Sequence, residues 1–140
     1  MVTLESEVDY LHRYLEIQKL RFDDRLTVSV DIPRDLLPIQ VPSLILQPLV
    51  ENAINHGISK RMQGGTLRIS GSCAHDMLNL SVYNEGPCLQ DNWEASSSGI
   101  GLSNLRTRLR ILYGARFQLN LRNHEKGGVE VLMSLPLGTM

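Results

Sequence analysis

The sequence predicts an α+β domain of two layers, a mixed five-stranded sheet covered on one face by three helices. Three observations lead there. Apolar residues recur at helical spacing in three stretches, and they alternate with polar residues in five others. Four of those five strands fall into two pairs joined by short turns, so the helices gather on one side of a largely hairpin-built sheet. At 140 residues there is room for one core, burying about two-thirds of the surface that the unfolded chain exposes, and residues 1–140 read as a single domain.

Thr3 caps a first helix with Glu5 and Glu7 in its opening turn and Leu4, Val8, Leu11 and Leu15 along one face as far as Phe22. Leu26, Val28, Val30 and Ile32 alternate with Thr27, Ser29 and Asp31 as a strand with one buried face, ended by Pro33. A loop punctuated by Pro38 and Pro42 leads to a second helix. There Pro48, which donates no backbone hydrogen bond, either begins the regular part or kinks it, leaving residues 43–47 irregular. Gly64 and Gly65 mark the turn before a strand over 66–72, Ala74 to Asp76 make a hairpin turn, and a strand over 77–84 points Leu78, Leu80 and Val82 inward. Residues 85–98 hold glycine, proline, asparagine and three consecutive serines, with Leu89 and Trp93 their large apolar groups, and read as a lid. Gly99 and Gly101 open a third helix with Leu102, Leu105, Leu109 and Leu112 at helical spacing and Gly114 as C-cap. Phe117, Leu119 and Leu121 form a strand, His124 to Gly128 a turn, and Val129, Val131, Met133 and Leu135 the last strand. The order is αβαββαββ, without an internal repeat.

Fourteen basic residues against fifteen acidic ones leave a formal charge of −1, so neither nucleic acid nor an anionic membrane is expected as the main partner. No apolar run approaches the ~20 residues that span a bilayer, and no charged start precedes an apolar signal segment. Cys73 and Cys88 lack a metal-ligand spacing and read as reduced thiols.

Residues 47–57 read QPLVENAINHG. On a helix, Asn52, Asn55, His56 and Ser59 share one face, while Leu46, Leu49, Val50, Ala53 and Ile54 turn toward a core. A purely structural helix needs no such convergence. Carboxamide oxygens suit a hard cation such as Mg²⁺, which keeps several waters while it bridges substrate phosphates, so the stripe points to a Mg-nucleotide site. The plainer alternatives are a helix asparagine bonded to backbone for Asn52 and an exposed polar pair for Asn55 and His56. Glu51 points another way on the helix wheel. In SGIGLSNLRTRLRILYG, Ser98 to Gly114, glycines at a helix start let backbone amides approach an anion where the dipole favours it, although such a pair often only shapes a turn.

These two strings, together with NEGP at 84–87 and YLEIQKLRF at 14–22, resemble the ATP-binding domain of LytS-type sensor histidine kinases, within the Bergerat-fold group of ATPases and kinases. The resemblance covers nearly the whole chain. It implies ATP and Mg²⁺ as cofactors and distributes the site. Asn52 matches the asparagine that holds Mg²⁺ against the phosphates, the catalytic and metal-binding position, and Asn55 and His56 lie one turn on, toward phosphates or ribose. Asn84 and Gly86 match the box whose acid accepts a hydrogen bond from the adenine amino group and whose glycine leaves room for the base. Gly99, Gly101 and Leu102 match the glycine box after the lid, with Asn104 and Arg108 in reach of phosphate or the lid. For Arg106, Arg108 and Arg110 a solvated helix face is the alternative, since the three cannot all point one way. Trp93 is either an anchor for the closed lid or a docking residue for a partner domain.

Four positions depart from the family pattern. Asn84 replaces an aspartate; its oxygen still accepts the adenine bond but without the charge, a loss of order 1 kcal/mol. Cys88 stands for a second glycine and Val129 for a threonine that helps read adenine, so adenine recognition is expected to be weaker than in a typical member. Hydrolases of the group place a water-polarising glutamate where this chain has Pro48, which cannot act as a base. That suits phosphoryl transfer to an acceptor that is itself a nucleophile, where positioning and charge neutralisation do most of the catalysis.

The implied function is to present the γ-phosphate of Mg-ATP to a histidine on a separate dimerisation domain of the same parent protein, a homodimer, which passes it to a response regulator. By family analogy the domain is cytoplasmic and the parent an inner-membrane sensor. The PHF-type motif that carries the acceptor in this family is absent here; the four histidines are His12, His56, His75 and His124, and His12 reads as a surface residue. The chain is therefore expected to bind ATP without phosphorylating itself. From another class, Asn84, Cys88 and Val129 motivate a degenerate module that keeps the fold for dimerisation or regulation. An ATP-hydrolysing switch is disfavoured by Pro48.

Overall fold

The computed structural model describes residues 1–22, 25–56, 65–85, 97–125 and 127–137, with the backbone alone for 56 and 97–101. Thr3 caps the first helix, α1 (Leu4–Phe22): its Oγ1 accepts the Ser6 N–H at 3.2 Å, and the Ser6 hydroxyl donates back to the Thr3 carbonyl at 2.8 Å. The next free donors of that turn, the N–H groups of Leu4 and Glu5, reach the carbonyls of Ile39 and Leu37 at 2.8 and 3.0 Å. Leu4, Val8, Leu11, Leu15 and Phe22 are buried along one face, and His12 is exposed.

β1 (Val2–Thr3) and β3 (Gln40–Val41) form a small antiparallel ladder, and Arg34–Leu36 make a 3₁₀ turn in the proline-punctuated loop. Two-residue strands are too short for an alternation to show, and the sequence reading passed over them. The main sheet is mixed, as expected. Its strands are β2 (Leu26–Asp31), β4 (Gly65–Ala74), β5 (Met77–Asn84), β6 (Gln118–Asn123) and β7 (Val129–Pro136), in the spatial order β2-β4-β5-β7-β6. β2 pairs with β4 in parallel and the other three pairings are antiparallel. A parallel pair needs a long crossover, and this one contains α2 (Leu46–His56).

The β4–β5 turn is the two residues His75 and Asp76, both left-handed at φ 54° and 61°, as the tightest hairpins require. Ala74, assigned to the turn from sequence, is the last strand residue. At the β6–β7 turn the His124 N–H reaches the Gly128 carbonyl at 2.9 Å, and Gly128 has φ +90°. A Cβ on Gly128 would lie 2.1 Å from the Asn84 carbonyl oxygen, so this turn lies directly on the end of β5.

The inner faces of the strands (Leu67, Ile69, Leu78, Leu80, Val82, Leu119, Val131, Met133, Leu135) join α2 and α3 (Ser97–Tyr113) in one core cluster. On the outer face polar side chains pair across strands: the Ser70 and Ser81 hydroxyls at 2.5 Å, and Ser134, which donates to the Asn79 carboxamide at 2.6 Å. α3 begins two residues before Gly99, so the glycines lie inside its first turns rather than ahead of them. Leu112, expected in the core, is 46% exposed, and Tyr113 at 7% takes the place, because 102, 105, 109 and 113 keep the three-then-four spacing of one helix face. Gly114 ends the helix at φ 64°, its N–H on the Arg110 carbonyl at 2.8 Å. Phe117 stands just before β6, which runs on to Asn123. Of the expected lid, 85–98, only Glu85 and the first two residues of α3 are among the described residues. Among the described residues no helix is long and apolar enough to cross a membrane.

Two predictions follow from packing. Burial raises the Tyr14 phenol above its ordinary value, and the Glu51 carboxylate adds to the effect while Arg21 opposes it. The folded protein then holds this proton to higher pH than the unfolded chain, so the stability is intact below about pH 10 and drains away as pH rises further. Tyr14→Phe is expected to flatten the fall of melting temperature above about pH 10, and Tyr113, also raised by burial, contributes in the same direction. Gly128→Ala combines a left-handed backbone with a collision against Asn84, and is expected to lower unfolding free energy by roughly 3 kcal/mol or more in urea titration.

Candidate functional site

α2 starts at Leu46, so Pro48 is its third residue, where no i−4 acceptor exists and the missing N–H costs nothing. The helix thus begins two residues before the proline, and residues 46 and 47, expected to be irregular, are helical. Leu46, Leu49, Val50, Ala53 and Ile54 are fully buried, as their spacing required. Asn52 is buried too, at 3% exposure, and among the described residues it shares that condition with just two other polar side chains, Glu7 and Asn84. Burying a carboxamide is costly unless its groups are paired, yet among the described residues Asn52 Nδ2 has no partner. Asn55, one turn on, is exposed. The His56 side chain and Ser59 lie outside the described residues. Glu51 is exposed and accepts a bond from Gln47 Nε2 at 2.9 Å.

The start of α2 is held by a residue that sequence reasoning treated as a mere first-turn acid of α1. Glu7 is 7% exposed; its Oε2 accepts the Leu44 N–H at 3.0 Å and its Oε1 those of Ile45 and Leu46 at 2.9 and 3.5 Å. Leu44 is left-handed, φ 57°, a strained conformation for a side chain branched at Cγ. From the other side Arg108, which the resemblance placed near phosphate or the lid, donates to the carbonyls of Ser43 and Leu44 at 2.6 and 3.3 Å. Arg106 donates to the Leu119 carbonyl at 2.6 Å, and Arg110 is exposed. The three arginines thus do diverge, two of them as struts to different elements.

Asn84 ends β5 at 1% exposure, between Leu67 and Val129 in the ladders. Its Nδ2 donates to the Glu85 carbonyl at 3.2 Å, which leaves Oδ1 as the group that can accept. Glu85 is bonded to Thr66 through both its N–H and its carboxylate, at 3.0 and 2.7 Å. With Gly128 closing over the Asn84 carbonyl, the end of β5 is fixed on two sides. A Gly-Gly pair before the last strand was the sequence signal for that contact. Val129 is fully buried beside Asn84 and offers methyl groups where a hydroxyl would stand. Gly86 and Cys88 lie outside the described residues.

Gly99 is the third residue of α3, among those N–H groups that lack an intrahelical acceptor, and Gly101 lies two residues further in. Leu102 is 2% exposed and packs in the core; Asn104 is exposed. α2 packs on β5 and on α3, so the helix of Asn52 touches both the strand that ends in Asn84 and the glycine-bearing helix. A cavity of about 480 Å³ opens instead on the outer face of the sheet, lined by groups such as Ser70, Asn79, Ser81 and Ser134, and contains none of these residues. Four of its polar side chains are paired, Ser70 with Ser81 and Ser134 with Asn79.

Among the described residues no cluster of three or more His, Cys, Asp or Glu exists to hold a cation. The donor set fits a different arrangement. A single buried carboxamide can give its oxygen to a Mg²⁺ whose other ligands are phosphate oxygens and water, and the unpartnered Nδ2 is the complement of a phosphate oxygen.

No family model matches the chain. The sensor histidine kinase YesM of Bacillus subtilis is 30% identical over 138 residues, 97% of this chain and 24% of that protein. The sensor protein LytS of Oceanobacillus iheyensis is 32% identical over 141 residues, 92% of this chain and 24% of that protein. The chain therefore spans about a quarter of the length of these relatives. The nucleotide-free catalytic domain of the histidine kinase ThkA superposes with a TM-score of 0.72, covering 96% of this chain and 94% of that one at 16% identity, which is a likeness of fold. ThkA has also been solved in complex with the response regulator protein TrrA, and there this chain covers 41% of the kinase chain with a TM-score of 0.69. Over nearly its whole length, then, the chain is homologous to sensor histidine kinases of the LytS type, and its fold is that of histidine kinase catalytic domains.

Proposed function

We propose that this domain binds Mg-ATP and presents its γ-phosphate to a histidine on a separate dimerisation domain of the same parent protein, from which a response regulator receives it. The observation that carries the reading is the buried Asn52 carboxamide with its unpartnered Nδ2, on the helix whose other buried residues are all apolar. Bound Mg²⁺ would neutralise charge developing on the phosphates. Asn52 would hold it through Oδ1 and turn Nδ2 to a phosphate oxygen. Asn55 and His56 then face phosphates or ribose, Gly99 supplies a free amide at the start of α3 while Gly101, deeper in the first turns, leaves the helix surface there without a side chain, and Asn104 borders the same region. Asn84, whose nitrogen donates to Glu85, accepts the adenine amino hydrogen through Oδ1, and Gly86 leaves room for the base. Arg108 serves the site through the loop that it holds.

Pro48 leaves no carboxylate one turn before Asn52, so water is not activated and the phosphoryl group is kept for a histidine acceptor. The ThkA–TrrA complex supports a response regulator as the downstream partner. By the same analogy the parent is a homodimeric membrane sensor with this domain on its cytoplasmic side.

Calorimetric titration tests the reading. Mg-ATP is expected to bind the domain, Mg-GTP to bind more weakly because guanine offers Asn84 Oδ1 a carbonyl instead of an amino group, and Asn52→Ala to lower Mg-ATP affinity by on the order of 100-fold. A folded wild-type domain that binds no Mg-ATP, or an Asn52→Ala variant that binds it unchanged, overturns the proposal. The former result would favour a degenerate module, to which Asn84 and Val129 already lean.

A further inference from the structure

Resting on that Mg-nucleotide reading, we propose that Glu7 is a positioning residue: through its bonds to the first turn of α2 it places Asn52, so that α1 sets the affinity of the site for Mg-ATP. The residue before α2 is Ile45, which has no side-chain oxygen to cap a helix, and Pro48 brings no donor of its own. The cap comes instead from Glu7, 38 residues away from Ile45 in sequence and almost wholly buried. A carboxylate is placed there at a high desolvation cost, which backbone N–H bonds and the positive end of the α2 dipole offset.

The geometry is a clamp. Glu7 takes the N–H groups of residues 44–46 while Arg108 takes the carbonyls of residues 43 and 44, and between them Leu44 is kept in its left-handed conformation. Without Glu7 that residue can relax to an ordinary conformation, and the start of α2 turns with it. Asn52 lies six residues after Leu46 on the same rigid helix, so a change at the first turn is carried to its carboxamide. α1 in turn is fixed to the same loop, because its own first N–H groups bond to the carbonyls of Leu37 and Ile39. The loop and the two helices therefore shift together.

Glu7→Gln keeps the shape but points an amide N–H₂ at backbone donors; Glu7→Asp keeps the charge on a shorter arm. In the nucleotide-free domain, Glu7→Gln is expected to move the ¹⁵N–¹H signals of both Ile45 and the Asn52 side-chain amide. Its Mg-ATP affinity is expected to fall about 5- to 10-fold, with Glu7→Asp recovering part of the loss. Leu119→Val, a core change in β6, is expected to lower stability without altering affinity. Unmoved Asn52 signals in a folded Glu7→Gln domain, or an affinity loss equal in Leu119→Val, overturns the proposal. Should Glu7→Gln not fold, amide hydrogen exchange on the wild type decides: Ile45 N–H must be protected and slow further with Mg-ATP, and exchange at the rate of an open loop sinks the idea. A wild type that fails to bind Mg-ATP condemns the nucleotide reading, whereas the Asn52 signals still report on the clamp.

Discussion

One buried carboxylate organises this domain. Glu7 is the only charged side chain among the buried polar groups described, and its partners are backbone N–H groups at the start of another helix. Without them its charge could not be kept from water, and without it the first turn of α2 would have its donors aimed at nothing. The dependence runs both ways, since α1 is itself capped partly by carbonyls of the loop that precedes α2. This joint ties α1 to the start of α2 at the left-handed residue Leu44.

The site so supported is poor in charge. In the proposed reading two asparagines, one on α2 and one at the end of β5, stand where many nucleotide pockets have acids, and in each one end of the carboxamide is distinguished from the other. At Asn84 the nitrogen is bonded to Glu85 and the oxygen remains; at Asn52 the nitrogen is the end without a partner. A neutral lining of this kind adds no repulsion to a triphosphate, which brings its own counterion. The packing of Gly128 against the Asn84 carbonyl and the burial of Val129 beside it show how little space stands around that asparagine.

The regular elements were legible because each buries one face. The α2 core residues and the alternation in β5 and β7 fell where periodicity put them, since 3.6 and 2.0 are fixed by backbone geometry alone. Helix starts were less legible. α3 begins earlier than its glycines suggested, and Leu112 turned out because a spacing of three was counted where the helix needed four. Glu7 was hidden for another reason: its partners are backbone groups, which look the same at every residue, and they lie far along the chain. Arg108 was hidden likewise, its acceptors being carbonyls of Ser43 and Leu44. Asn52 and Asn84 stood out because a polar side chain within an apolar pattern has few reasons to be there.

The parallel pairing of β2 with β4 has a kinetic corollary. Everything between those strands, the Asn52 helix included, is a closed loop whose ends meet only when the edge of the sheet forms. The bonds that Glu7 makes to residues 44–46 are likewise far apart in sequence, so the placement of Asn52 depends on contacts that form only as the fold closes. A ligand held by Asn52 would then recognise the finished domain alone, and its concentration would shift the balance between folded and unfolded chains.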